Sequence, residues 1–164
     1  MGANSIKFEY PPIFGRGFYA MTLAEARDRF VVAFPQSLTR RGIMDGLCGL
    51  VERLNRNGVV GEVWLDGSFV TEKIDPEDVD ILIRVSSALY DNDRRVRDAV
   101  DWASQEERRD SHNCDSYKWI EYDSGHPLFP DSENDRNYWT RFFGTSRKGV
   151  AKGIVTITIP AVMP

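Results

Sequence analysis

Apolar residues at three- and four-residue steps (Ile43, Leu47, Leu50, Val51, Leu54) predict a helix that starts near Ser37 and ends where Asn57-Gly58 supplies a left-handed cap. Upstream, Thr22-Leu23-Ala24-Glu25 has the spacing of a capping box. A first helix should therefore run to about Phe34 and stop at Pro35. Downstream the pattern changes: Val59 to Leu65 and Val79 to Val85 predict buried strands, with Asp75-Pro76-Glu77 turning the chain into the second. Asp91 to about Arg108 predicts a helix with Val96, Ala99, Val100 and Ala103 on one side and Arg94, Arg95, Arg97 and Asp98 on the other. Cys114 to Tyr122 alternates imperfectly and reads as a third strand, and Asp131 or Ser132 would cap a short helix to Phe143. Ile154 to Ile159, rich in β-branched residues, is a final strand ended by Pro160. Residues 1–20 carry Pro11-Pro12 and Gly15-Arg16-Gly17 among Phe8, Tyr10, Phe14, Phe18 and Tyr19. They predict an extended arm that lays its rings on the domain without needing a regular element.

A chain of 164 residues suits one domain spanning 1–164, with room for one hydrophobic core. Its 41% apolar and 28% charged residues carry none of the bias of disordered or collagenous chains. No apolar run approaches the roughly 20 residues of a membrane helix, and no basic-then-apolar leader opens the chain, so no membrane partner is expected and the cytoplasm is the expected location. Cys48 and Cys114 have neither CxxC nor Cys/His spacing, which argues against zinc and against a disulfide framework. His112 and His126 are isolated, and Trp64, Trp102, Trp119 and Trp139 fall where core residues are expected. The net charge of −4 argues against coating nucleic acid through bulk electrostatics. One local basic stretch, Arg141, Arg147, Lys148 and Lys152, could seat a phosphate or an RNA backbone, or be a solvated loop.

The chemistry concentrates between residues 64 and 83. Trp64-Leu65-Asp66-Gly67-Ser68 precedes a nine-residue spacer and then Asp78-Val79-Asp80-Ile81. Strand side chains alternate between faces, so Asp78 and Asp80 project from the same one. Two carboxylates held that close repel, and the remedies are a raised pKa or a bound divalent cation. Gly67 would let the backbone approach a phosphate, with the Ser68 hydroxyl and N–H as donors beside it.

An apolar strand, a Gly-Ser turn, a short spacer and Asp-apolar-Asp resemble the signature of the nucleotidyltransferase superfamily, the DNA polymerase beta-like group, in the manner of its small standalone bacterial and phage members. The resemblance is specific over 59–85. It implies an α/β (α+β) fold with a mixed sheet, helices mainly on one side and the site at the sheet's open edge. It implies a nucleoside triphosphate as substrate and Mg2+, one or two ions with Mn2+ as a substitute, held by Asp78 and Asp80. A third carboxylate on the next strand serves the family as metal ligand and base; Asp115 is the preferred choice, with Glu121 and Asp123 competing. Lys73 in the spacer and Lys148 are candidates to touch the triphosphate, an exposed loop lysine being the other reading of Lys73. The acceptor would be a hydroxyl of RNA, protein or a small molecule, in a toxin–antitoxin or phage-defence setting. The alternative is a catalytically weak or inactive antitoxin or regulator that binds a cognate partner protein, and a third reading is a nucleotide sensor.

Overall fold

Alternation along the strands sorts the sheet into two unlike faces. A computed structural model describes residues 8–164. In chain order its elements are β1 (Gly17–Ala20), α1 (Leu23–Arg27), a π-helical turn (Asp28–Val32), α2 (Arg40–Arg56), β2 (Gly61–Asp66), a 3-10 turn (Ser68–Val70), β3 (Val79–Ser86), α3 (Ser87–Asn92), α4 (Arg94–Ala103), α5 (Arg108–His112), β4 (Cys114–Glu121), α6 (Phe129–Gly144) and β5 (Gly153–Ile159). The strands form one mixed sheet in the order β1-β5-β2-β3-β4. β5 runs parallel to β1 and antiparallel to β2, β2 antiparallel to β3, and β3 parallel to β4. This is the expected α+β class.

On one face Val63, Leu65, Ile81, Ile83, Val155 and Ile157 pack with Phe30, Leu47, Leu50, Val96 and Val100 into the main core. The opposite face carries Trp64, Leu82, Trp119 and Ile154 under Phe143 of α6, with Tyr117 and Trp139 at the margin. Trp64 and Trp119 are buried, as expected, while Trp102 and Trp139 are half-buried. Fully burying each large aliphatic is worth about 1.5–3 kcal/mol. A one-residue slip of β3 would turn Ile81 and Ile83 out of the core, so their burial also fixes which face Asp80 points to.

Several boundaries differ from the sequence pattern, each for a local reason. The capping box forms, Glu25 N–H donating to Thr22 Oγ1 at 3.1 Å and Thr22 N–H to Glu25 Oε2 at 2.7 Å. α2 begins at Arg40 because the Ser37 hydroxyl accepts from the Thr39 and Arg40 N–H groups ahead of it. The single helix expected over 91–108 is broken, since Asp93 Oδ1 accepts from Arg95 and Val96 N–H and starts α4 afresh. α6 starts at Phe129 with Pro130 in its first turn, and Ser132, expected as a cap, is buried and accepts the Tyr122 N–H instead.

The arm needs correction. Residues 17–20 are a strand paired with β5, and Pro11 and Ile13 hydrogen-bond residues 70–72, so the segment is tied into the sheet and the spacer. Phe14 stacks on Tyr19 at 4.5 Å, whereas Phe8 stays exposed. Residues 1–7 of the arm lie outside the described residues. Among the described residues no helix is long and apolar enough to cross a membrane.

Candidate active site

Strand register assembles the site. Asp66, the last residue of β2, pairs with Asp80 of β3, and Asp80 pairs with Asp115 of β4, so three carboxylates stand in one row across adjacent strands. Directly paired residues point to the same face, at a strand spacing of about 4.8 Å. Asp78 lies two residues before Asp80 and shares its side. The row ends the α6 face, beyond Trp64, Leu82 and Tyr117.

Two cations come from elements distant in sequence. Lys152 Nζ, at the entry to β5, lies 2.6 Å from Asp66 Oδ1, and both side chains are nearly closed to solvent, at 13% and 4% exposure. Arg109 of α5 bridges the two outer acids: its Nη2 donates to Asp115 Oδ2, and its Nε lies 3.4 Å from Asp78 Oδ2. Burial raises the Asp66 carboxyl to about 6, with Lys152 and the Gly67 N–H opposing. Asp80 is pushed up to about 7, first by burial and then by the charges of Asp66, Asp78 and Asp115, with Lys152 opposing.

Gly67 lies against this carboxylate. Its φ of +83° and ψ of −165° belong to a region essentially reserved for glycine, and a Cβ there would stand 2.7 Å from Asp80 Oδ2. Its neighbour Ser68 opens the 3-10 turn, and the Ser68 carbonyl is pinned by the Thr71 hydroxyl at 2.7 Å. The spacer that follows is held by Arg40. This fully buried side chain donates to the carbonyls of Phe30, Phe69, Thr71 and Lys73 at 2.6–3.2 Å, and its guanidinium lies 3.7 Å over the Phe34 ring.

Among the described residues no group of three or more His, Cys, Asp or Glu is placed to hold a metal ion; Asp78 and Asp115 face Arg109, and Asp66 faces Lys152. The donor set nonetheless suits a hard cation. Four carboxylates share two cationic side chains, leaving two negative charges that one divalent ion would cancel, and Mg2+ needs only one or two carboxylates when phosphate and water complete its shell.

The other candidates fall elsewhere. Glu121 lies six residues beyond Asp115 on β4, roughly 20 Å away, and is held by Arg84 at 2.6 and 3.0 Å and by Arg136. Asp123 sits in the following turn, accepting from Gly125 N–H. The Lys73 ammonium lies 5.8 Å over the Tyr10 ring, and Lys148 is tied through its backbone N–H to Glu9, so neither is brought to the acids by a contact seen here. The basic stretch contributes Lys152 instead. His112 packs edge-on to Trp102 and His126 lies over Tyr122.

A family model matches residues 6–158 of this chain. The chain belongs to DUF6932, a family of unknown function. No curated protein and no solved structure matches it. In this DUF6932 chain the Gly67–Asp80 contact leaves no room for a methyl group on Gly67. Gly67→Ala is expected to cost about 1–3 kcal/mol from backbone strain alone and to push the Asp80 carboxylate aside. Urea unfolding should show a lower midpoint with an unchanged slope; an unchanged midpoint would mean that the turn relaxes without strain.

Proposed function

We propose that this protein is a divalent-metal-dependent nucleotidyltransferase, moving a nucleoside monophosphate from a triphosphate onto an acceptor hydroxyl of RNA, protein or a small molecule. One observation carries the reading: the Gly67 turn lies directly against Asp80, while Asp78 and Asp115 flank that same carboxylate. Such crowding of acids is costly for folding, and a divalent ion with its phosphate ligands offsets the cost.

Asp78 and Asp80 would hold Mg2+ or Mn2+, with Asp115 as the further ligand or as the base for the acceptor hydroxyl. When bound, the ion would neutralise charge on the phosphate oxygens. Gly67 lets the Asp80 carboxylate lie against the backbone, and the Ser68 hydroxyl and N–H would donate to the triphosphate. Lys152 holds Asp66 and lowers the field on Asp80. The acceptor oxygen attacks the α-phosphorus, the bond to the β-phosphate oxygen breaks, and pyrophosphate leaves with the negative charge while the acceptor proton passes to the base.

A docking role without catalysis, the regulator or antitoxin reading, is favoured by the cations already seated on these acids, Arg109 on Asp78 and Asp115 and Lys152 on Asp66. Radiolabelled nucleoside triphosphates, Mg2+ and cell extract separate the two. Nucleotidyl transfer predicts a labelled acceptor whose label falls at least about a hundredfold in Asp78→Asn/Asp80→Asn, the scale expected on losing electrostatic stabilisation of the reacting phosphate. Label that persists in the double variant overturns it.

A further inference from the structure

Arg109 is paired with Asp78 and Asp115, two of the acids that would hold a metal. Its helix is a single turn whose backbone is fixed: a Cβ on Gly46 of α2 would lie 2.0 Å from the His112 carbonyl oxygen, so the two backbones are in contact. Asn113, which ends the turn in the left-handed region at φ 55°, donates through Nδ2 to the Gly42 carbonyl and accepts from Val79 N–H at 3.0 Å. The neighbouring Arg108 turns the other way, its guanidinium 4.4 Å over Trp102. The Arg109 side chain, at 52% exposure, is half in solvent while bridging Asp78 and Asp115. A planar guanidinium presents the same paired donors to a carboxylate and to a phosphate.

We propose that Arg109 changes partners: in the metal-free protein it occupies Asp78 and Asp115, and when a metal-bound triphosphate enters it transfers to the phosphates. This rests on the nucleotidyl-transfer reading and adds to it a residue with two opposed effects. The guanidinium competes with the bare cation for its ligands, yet supports the cation's anionic cargo.

The opposed effects give a test that a structural role would not mimic. Mn2+ binding is measured by the loss of its free-ion paramagnetic resonance signal, first alone and then as the Mn2+–tripolyphosphate complex, a probe that avoids base preference. Arg109→Ala should bind Mn2+ alone about three- to tenfold tighter, the scale expected from removing two partly exposed ion pairs. It should bind the tripolyphosphate complex about tenfold more weakly. Arg109→Lys, which keeps the charge and loses the fork, should show a smaller gain for Mn2+ and a partial loss for tripolyphosphate. Affinities that move together, or Mn2+ affinity that stays the same or falls, overturn the exchange while leaving the transfer reading in place. If neither the natural protein nor Arg109→Ala binds Mn2+, both fall.

Discussion

Arg40→Ala is expected to lower the unfolding free energy by about 3–5 kcal/mol, combining a large-to-small cavity with buried carbonyls left without donors. For a domain of this size that is a drop of roughly 10 °C in thermal midpoint. Arg40 sits at the first position of α2, where a cation opposes the helix macrodipole, and burial pulls its guanidinium down to about 10 despite Asp75. What holds it is geometry. Its three nitrogens reach four carbonyls, three of them in the spacer between Gly67-Ser68 and Asp78. Arg40→Lys keeps the charge but has one nitrogen for those carbonyls, so it should recover less than half of the loss. Calorimetry on the three proteins checks this; a lysine variant as stable as the natural protein would show that charge, not the fork, ties the spacer down.

Asp80→Asn is expected to make the metal-free protein more stable at pH 8, by roughly 3 kcal/mol or 6–12 °C. The folded protein holds this carboxyl at about 7 against an ordinary 3.8. Between those values it keeps a proton that the unfolded chain has released, so stability declines as pH rises from about 4 to about 7 and then levels off. Asp66, at about 6, acts in the same direction. His112, held below 6.5 by burial and by Arg108 and Arg53, opposes them, its contribution being lost as pH falls through 6.5. The asparagine variant isolates Asp80. With EDTA present, the gap between the two melting curves should open between pH 4 and 7, and Mn2+ at pH 8 should raise the natural protein while sparing the variant. Parallel pH profiles for the two would show that Asp80 is not crowded.

The parts of the site legible in the sequence are those whose neighbours are close along the chain. Gly67, Asp78 and Asp80 follow from one turn, one spacer and one strand period, and Asp115 from its place at the start of the next strand. Asp66 stood in the same stretch yet gave no signal, because it joins the row only through the antiparallel register that pairs it with Asp80. Arg109 fell beyond the edge of a predicted helix that Asp93 and the turn after Ala103 in fact divide. Lys152 was visible only as one of four basic residues, and nothing local distinguishes it from Lys148. Strand β1 was hidden because its partner lies at the other end of the chain.

That last pairing bears on how the molecule comes into being. β5 lies between β1 and β2, so the first strand has no neighbour until residues 153–159 have left the ribosome. Lys152 arrives at the same moment, against an Asp66 made 86 positions earlier. A nascent chain can therefore complete the β2–β3–β4 part of the sheet and line up its acids while the counter-cation for Asp66 is still unmade. During synthesis the Asp66 carboxylate therefore waits for the cation that later closes over it.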